Sequence, residues 1–305
     1  MKKLGELGVI ALVVLLSGCA SSNGLSRAEK STAVATVDAE YYEPNLYLVE
    51  PLPVSQSLEI ELLQLNEVLQ TIDMTDDQRA QILHRRAVTY DRVGLRTLAM
   101  VDINQALELK PDLVDAYHVM GIYLTAMGEY QAAFEAFDST IELAPDHDYV
   151  YLNRGLAAYY NGQYHLAHTD FADFYFQNPA DPFRVIWYYF AGRQLDSGRA
   201  EELLRSQWPN ATDNLWGQDI IAYILGEISE DELIRSAFER SYDQEELNHN
   251  LCEAYFYMGK VAAARGQSFS AINYFKLSLA TNAYSYLEHR YARTEIQKLR
   301  QRLED

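Results

Sequence analysis

Pro111, Pro145 and Pro179 stand 34 residues apart, and this spacing constrains the fold more than any other feature of the chain. A fixed period of about 20 to 50 residues marks a repeat architecture, in which each unit is one supersecondary element and stacked neighbours bury a continuous core. Aligned on those prolines, residues 80–113, 114–147 and 148–181 form three units, each reading as two antiparallel amphipathic helices. Small residues fall where paired helices must touch: Ala87, Gly121 and Gly155 in the first helix, Ala99, Ala133 and Ala167 in the second. Leu83, Tyr117 and Tyr151, with Ile103, Phe137 and Phe171, supply the bulk that fills the seam between ridges and grooves.

These positions match the tetratricopeptide pattern, which predicts an all-α solenoid of helix-turn-helix repeats. A fourth unit, 252–285, fits the same template with Tyr255, Met258, Gly259, Ala262, Ala271, Phe275 and Ser278 in the corresponding seats and Ala283 in place of the proline. Between them, 183–250 is helical but degenerate, punctuated by Trp208-Pro209-Asn210 and Leu225-Gly226-Glu227, and predicts shorter, irregular helices. A last helix, Tyr284 to Leu303, is expected to cap the apolar edge of the final pair, because a solenoid end needs an amphipathic cover. Asp112, Asp146 and Asp181 are candidate N-caps, and Pro182 fits a first helical position. Pro51 and Pro53 disfavour helix at the residues before them, so the first stable helix is placed at Leu58 to Ile72. The polar, small-residue stretch before it, 19–57, reads as a flexible tether to a helical domain 58–305.

The chain of 305 residues is 49% apolar, enough for a sizeable core, and carries a formal charge of −19. An acidic surface with no basic stripe repels phosphate backbones, which excludes nucleic acid as a partner. Lys2 and Lys3 open the N-terminus, and Leu7 to Leu16 is an apolar run too short for the roughly 20 residues of a membrane helix. Residues 1–18 therefore read as a secretory signal peptide. The run ends in Leu16-Ser17-Gly18-Cys19, which resembles the bacterial lipobox. That resemblance implies cleavage after Gly18 and acylation of Cys19, palmitate-type chains anchoring the protein at about 0.8 kcal/mol per buried CH₂. Ala20 in place of Asp points, by the same resemblance, to the outer membrane and a periplasmic face. Cys252, in an apolar helical stretch, reads as a buried, inert thiol.

The chain offers little chemistry. His165 and His168 stand three apart with Asp170 near, but no convergent further ligand accompanies them, so no metal is expected. HExxH, GxSxG, CxxC and a phosphate-binding glycine loop are absent, the carboxylates are scattered, and neither an enzyme nor a cofactor is expected. Asn210-Ala211-Thr212 has sequon form and reads as a turn. Helical-repeat arrays bind polypeptides through the concave surface lined by first helices. The fifth, ninth and twelfth positions of the units place His84, Val88 and Asp91, then His118, Ile122 and Thr125, then Leu152, Leu156 and Tyr159 on that surface, with Tyr160 beside them. The lining is mixed and weakly charged.

Several stretches lie outside a generic repeat consensus: Tyr90-Asp91-Arg92-Val93-Gly94-Leu95-Arg96, Gly121-Ile122-Tyr123-Leu124-Thr125, Leu152-Asn153-Arg154-Gly155, Asp181-Pro182-Phe183-Arg184 and Glu288-His289-Arg290-Tyr291-Ala292. With the lipobox they resemble the NlpI lipoproteins of Gram-negative bacteria over nearly the whole chain. The resemblance implies a homodimeric outer-membrane adaptor with no cofactor. Its implied partners are a periplasmic tail-specific protease and a murein endopeptidase, together with other peptidoglycan enzymes. It would thereby set endopeptidase turnover in wall growth and cell division. The alternative is a lipoprotein subunit of an outer-membrane assembly or secretion machine. The helix at Leu58 to Ile72 is a reasonable dimer contact.

Overall fold

The computed structural model describes residues 47–147 and 149–304; Gly18, Cys19, the signal segment and the tether up to residue 46 lie outside them. Among the described residues the regular structure is entirely helical: α1 (Gln56–Thr71), α2 (Asp76–Arg92), α3 (Arg96–Leu109), α4 (Val114–Met127), α5 (Tyr130–Leu143), α6 (Val150–Tyr160), α7 (Tyr164–Gln177), α8 (Pro182–Arg193), α9 (Ser197–Gln207), α10 (Leu215–Ile224), α11 (Glu230–Glu239), α12 (Gln244–Ala264), α13 (Ser268–Ala280) and α14 (Leu287–Glu304), with a 3₁₀ turn at Trp208–Asn210. The fold is a tetratricopeptide-repeat solenoid in which α2/α3, α4/α5, α6/α7 and α12/α13 are the four pairs. No described helix is long and apolar enough to cross a membrane.

The pairing follows from side-chain size. A Cβ built on Gly121 would stand 2.5 Å from Phe137, on Gly155 2.7 Å from Phe171 and on Gly259 2.7 Å from Phe275, so in three units a phenyl ring occupies the space that the glycine leaves. In the first unit Ala87 and Ile103, both fully buried, make the same contact with a smaller pair. The turn inside each unit is set by a glycine in the left-handed region, Gly94, Gly128, Gly162 and Gly266 with φ between 77° and 83°, a conformation in which a Cβ is penalised.

Helix starts are less uniform. Asp181 accepts a hydrogen bond from the Phe183 amide and Pro182 takes the first helical position of α8. Asp112 and Asp146 cap nothing: α4 and α6 begin after Leu113 and Tyr149 with no side-chain cap. Both aspartates precede the capping position, within the turn that the proline starts, and cannot reach the amides of the first helical turn. From 183 to 250 the helices shorten to 10–12 residues, yet Gly192 of α8 still faces Ala200 of α9, a Cβ on it lying 3.4 Å from the alanine methyl.

Two segments pack differently from the sequence reading. The tether was expected to run to residue 57, but 47–55 is an extended strap on the fourth pair. The Tyr255 hydroxyl donates to the Tyr47 carbonyl and accepts from its amide, both at 2.8 Å, Asn248 donates to the Glu50 carbonyl, and the Leu52 amide donates to Thr281. Pro51 and Pro53 bar helix there as expected, and the backbone groups of Tyr47, Glu50 and Leu52 find partners on α12 and in the turn after α13. The last helix, α14, packs on α12 and α13 and also reaches across to α2, α4 and α6. The largest core cluster joins α6 through α14 around α12, where Tyr255, Phe256 and Tyr257 are fully buried.

Candidate functional site

The concave face is built by the first helices α2, α4 and α6, and α14 divides it in two. On the covered half, Tyr160 stacks on Tyr291 with ring centroids 4.9 Å apart and planes 14° from parallel. Its hydroxyl donates to Glu295 at 3.0 Å, and Lys298 donates to its carbonyl. Arg290 grips Asp91, Nη2 to Oδ2 at 2.6 Å, and lies over the Tyr123 ring. Lys260 of α12 is buried among Tyr159, Trp187 and Phe190, donating to Glu295 at 2.6 Å and to the Tyr159 hydroxyl at 3.0 Å. Burial pulls its pKa down, but Glu295 and Tyr159 outweigh burial and hold the ammonium above its ordinary range.

Of the sequence-predicted groove residues, four are therefore closed to a partner. Thr125 and Leu156 are fully buried, and Tyr159 and Tyr160 are 9% and 3% exposed. The Thr125 hydroxyl turns back to the Gly121 carbonyl at 2.8 Å. Asp91 is occupied by Arg290. Leu156, Tyr159 and Tyr160 are taken up by the large core cluster that joins α6 to the later helices and α14, and Asp91 by α14.

The open half holds Val88, His84, His118, Ile122 and Leu152, exposed or half-buried. His118 sits against His147, ring centroids 4.3 Å apart, with Nε2 3.0 Å from the Asn153 amide nitrogen. Burial and then the neighbouring His147 depress its pKa to about 4; burial also lowers that of His84. Near neutral pH this strip is an uncharged, half-apolar surface. His147 is 3.5 Å from Asp115, but no described group of His, Cys, Asp and Glu residues converges as a metal site. His168 lies beside Tyr188 and Asp170 is bound by Arg154, so the candidate triplet at 165–170 is not brought together. Cys252 is fully buried, 3.4 Å from the Ser278 hydroxyl, and burial raises its thiol pKa far above the range of a nucleophile.

Sequence reasoning missed Lys260, Glu295 and Arg290 as the groups that close the groove. Lys260 had a signal: it is the lone cation in the otherwise apolar run Ala254 to Ala264. A buried Lys must be paired.

Paired helices, a glycine–phenyl seam and a partly open concave face define a helical-repeat scaffold of the tetratricopeptide class. Residues 80–113 and 114–147 match the family model of the tetratricopeptide repeat. Similar solved structures include a tetratricopeptide repeat protein from Parabacteroides merdae ATCC 43184, 16% identical over 80% of this chain and 78% of that one, with a TM-score of 0.45. The P58(IPK) TPR domain is 13% identical over 82% of this chain and 94% of that one, TM-score 0.27. Yeast Tom70 is 14% identical over 81% of this chain and 59% of that one, TM-score 0.36.

Proposed function

We propose that the chain is a lipid-anchored periplasmic adaptor of the outer membrane, acylated at Cys19, that holds a tail-specific protease and a murein endopeptidase together and so sets how fast the endopeptidase is removed during wall growth and division. The observation that carries the reading is the open half of the concave face, where a scaffold of this class offers Val88, His118, Ile122 and Leu152 as a weakly charged surface for polypeptide. Two bodies held on one scaffold meet almost intramolecularly, a gain of roughly 10²- to 10⁴-fold when both can engage at once. The chain itself performs no bond chemistry in this reading. It acts as a homodimer through α1, whose Ile60 and Leu63 are 46% and 69% exposed, together with Ile72 just past its end at 54%.

The test is a reconstituted degradation assay with the full chain in detergent, purified protease and endopeptidase. Degradation should accelerate with added chain and slow again at excess, when protease and substrate occupy separate copies. No acceleration at any ratio overturns the adaptor. Stable co-purification with an integral outer-membrane protein and no effect on proteolysis assigns the chain to an assembly machine instead.

A further inference from the structure

In a chain of net charge −19, one cleft is cationic. It lies where the ends of α6, α8, α12 and α14 meet, has a volume of about 330 Å³, and is lined by Arg193, Lys260, Lys298 and Arg302 against a single carboxylate, Glu295. Glu295 is already committed, to Lys260 at 2.6 Å and to the Tyr160 hydroxyl at 3.0 Å. Among the described residues, no ion pair engages Arg193, Lys298 or Arg302. Lys298 and Arg302 are moreover one turn apart on α14, a like-charge spacing that repels. The Lys298 pKa is lowered, first by burial and then by Lys260 and Arg302 beside it, despite Glu295. Three cations gathered beside one carboxylate that Lys260 and Tyr160 already share oppose folding locally, and such local conflicts belong to sites that an external group completes.

We propose that this cleft is a carboxylate-binding site for a polypeptide, with Arg193, Lys298 and Arg302 receiving the carboxylate and Tyr164, Ala263 and Ala264 the adjoining apolar side chain. The proposal rests on the scaffold reading and gives one of its sites a partner chemistry. Three arguments select a polypeptide. The volume suits one or two residues. The acidic body repels extended polyanions. A second hollow of about 350 Å³ shares Arg193, Ser197 and Ala264 with the cleft and continues along α8 and α9, giving the rest of a bound chain a path outward. The carboxylate is either a free C-terminus or an Asp or Glu side chain.

The experiment is fluorescence polarisation with the full chain in detergent and three labelled pentapeptides. These are Ala-Ala-Ala-Ala-Phe with a free C-terminus, the same peptide as its amide, and the amide of Ala-Ala-Glu-Ala-Phe. At least one carboxylate-bearing peptide should bind about tenfold tighter than the uncharged amide, the effect of one charge-assisted contact, and which one does so identifies the source. The Arg193→Gln/Arg302→Gln variant should abolish the preference at an unchanged melting temperature. Arg302→Gln alone, at an exposed position, should reduce it if the double variant does not fold. Equal binding of all three peptides, no binding of any, or a preference that survives the variants overturns the proposal. Binding of inorganic phosphate without either acidic peptide also overturns it, by making the cleft a small-anion site. Accelerated degradation in the adaptor assay by the double variant would leave the scaffold standing and remove the cleft from it.

Discussion

At the scale of single residues, the glycine–phenyl contacts set opposing effects against one another. Replacing Gly155 by alanine would raise helix propensity by about 1 kcal/mol, but the new methyl would stand 2.7 Å from the Phe171 ring, in a contact that must relax. Overpacking of this kind costs about 1–3 kcal/mol, so Gly155→Ala is expected to lower the urea midpoint. Adding Phe171→Leu should restore part of it, whereas full stability in the single variant would show that the ring moves freely. The small position was legible in the sequence because it recurs every 34 residues through the first three units. Which aromatic entered the gap was equally legible, since Phe137 and Phe171 recur in the same register.

Elements are joined by contacts that the same register conceals. Arg86 of α2 binds Asp102 of α3 bidentately at 2.6 and 2.7 Å, and Arg154 of α6 binds Asp170 of α7 at 2.9 and 2.8 Å. Both pairs are 16 residues apart, in the first and third units; the second unit has Met120 and Ala136 in those seats. Asp170 read alone looked like a stray carboxylate near two histidines. It is 1% exposed, and removing it would leave a partly buried guanidinium with only the exposed Asp138. Breaking such a pair costs about 3–5 kcal/mol, and Asp170→Ala is expected near the lower end because Asp138 remains, measured by urea unfolding. The strap makes a second prediction at this scale. Tyr255→Phe deletes both hydrogen bonds to Tyr47, a loss of roughly 1–2 kcal/mol. Amide exchange at residues 47–52 should then quicken while α12 stays protected; unchanged exchange would mean that Asn248 and Thr281 suffice to hold the strap.

The whole molecule answers pH through two opposed sets of buried groups. Burial drives the carboxyl of Glu253 well above its ordinary 4.5, with Glu288 adding to it, and burial raises Glu288 as well. The fold therefore binds these protons more tightly than the unfolded chain does. Their stabilising effect is complete below about 4.5 and is lost as pH rises through the raised values. His118 and His289, held at about 4 by burial, act in reverse: they stabilise above the ordinary 6.5 and lose that effect as pH falls toward 4. The melting temperature should peak at mildly acidic pH and decline on both sides. Glu253→Gln, which keeps an acceptor for the Trp216 indole nitrogen now 2.8 Å from the carboxylate, should flatten the alkaline decline. His118→Gln should flatten the acid one. A pH profile unaltered by either would sink this account.

The solenoid was written in the chain because a tetratricopeptide unit is local. Its helix periods, small-residue seam and proline stop all fall within 34 residues, so spacing alone specifies how each pair folds and how pairs stack. The closing of the groove was not, because Tyr160 meets Tyr291, Asp91 meets Arg290 and Tyr47 meets Tyr255 across separations that no period encodes. Those encounters depend on the accumulated curvature of the stacked pairs, which brings α14 and the strap back onto the array and leaves only part of the predicted face open to another molecule.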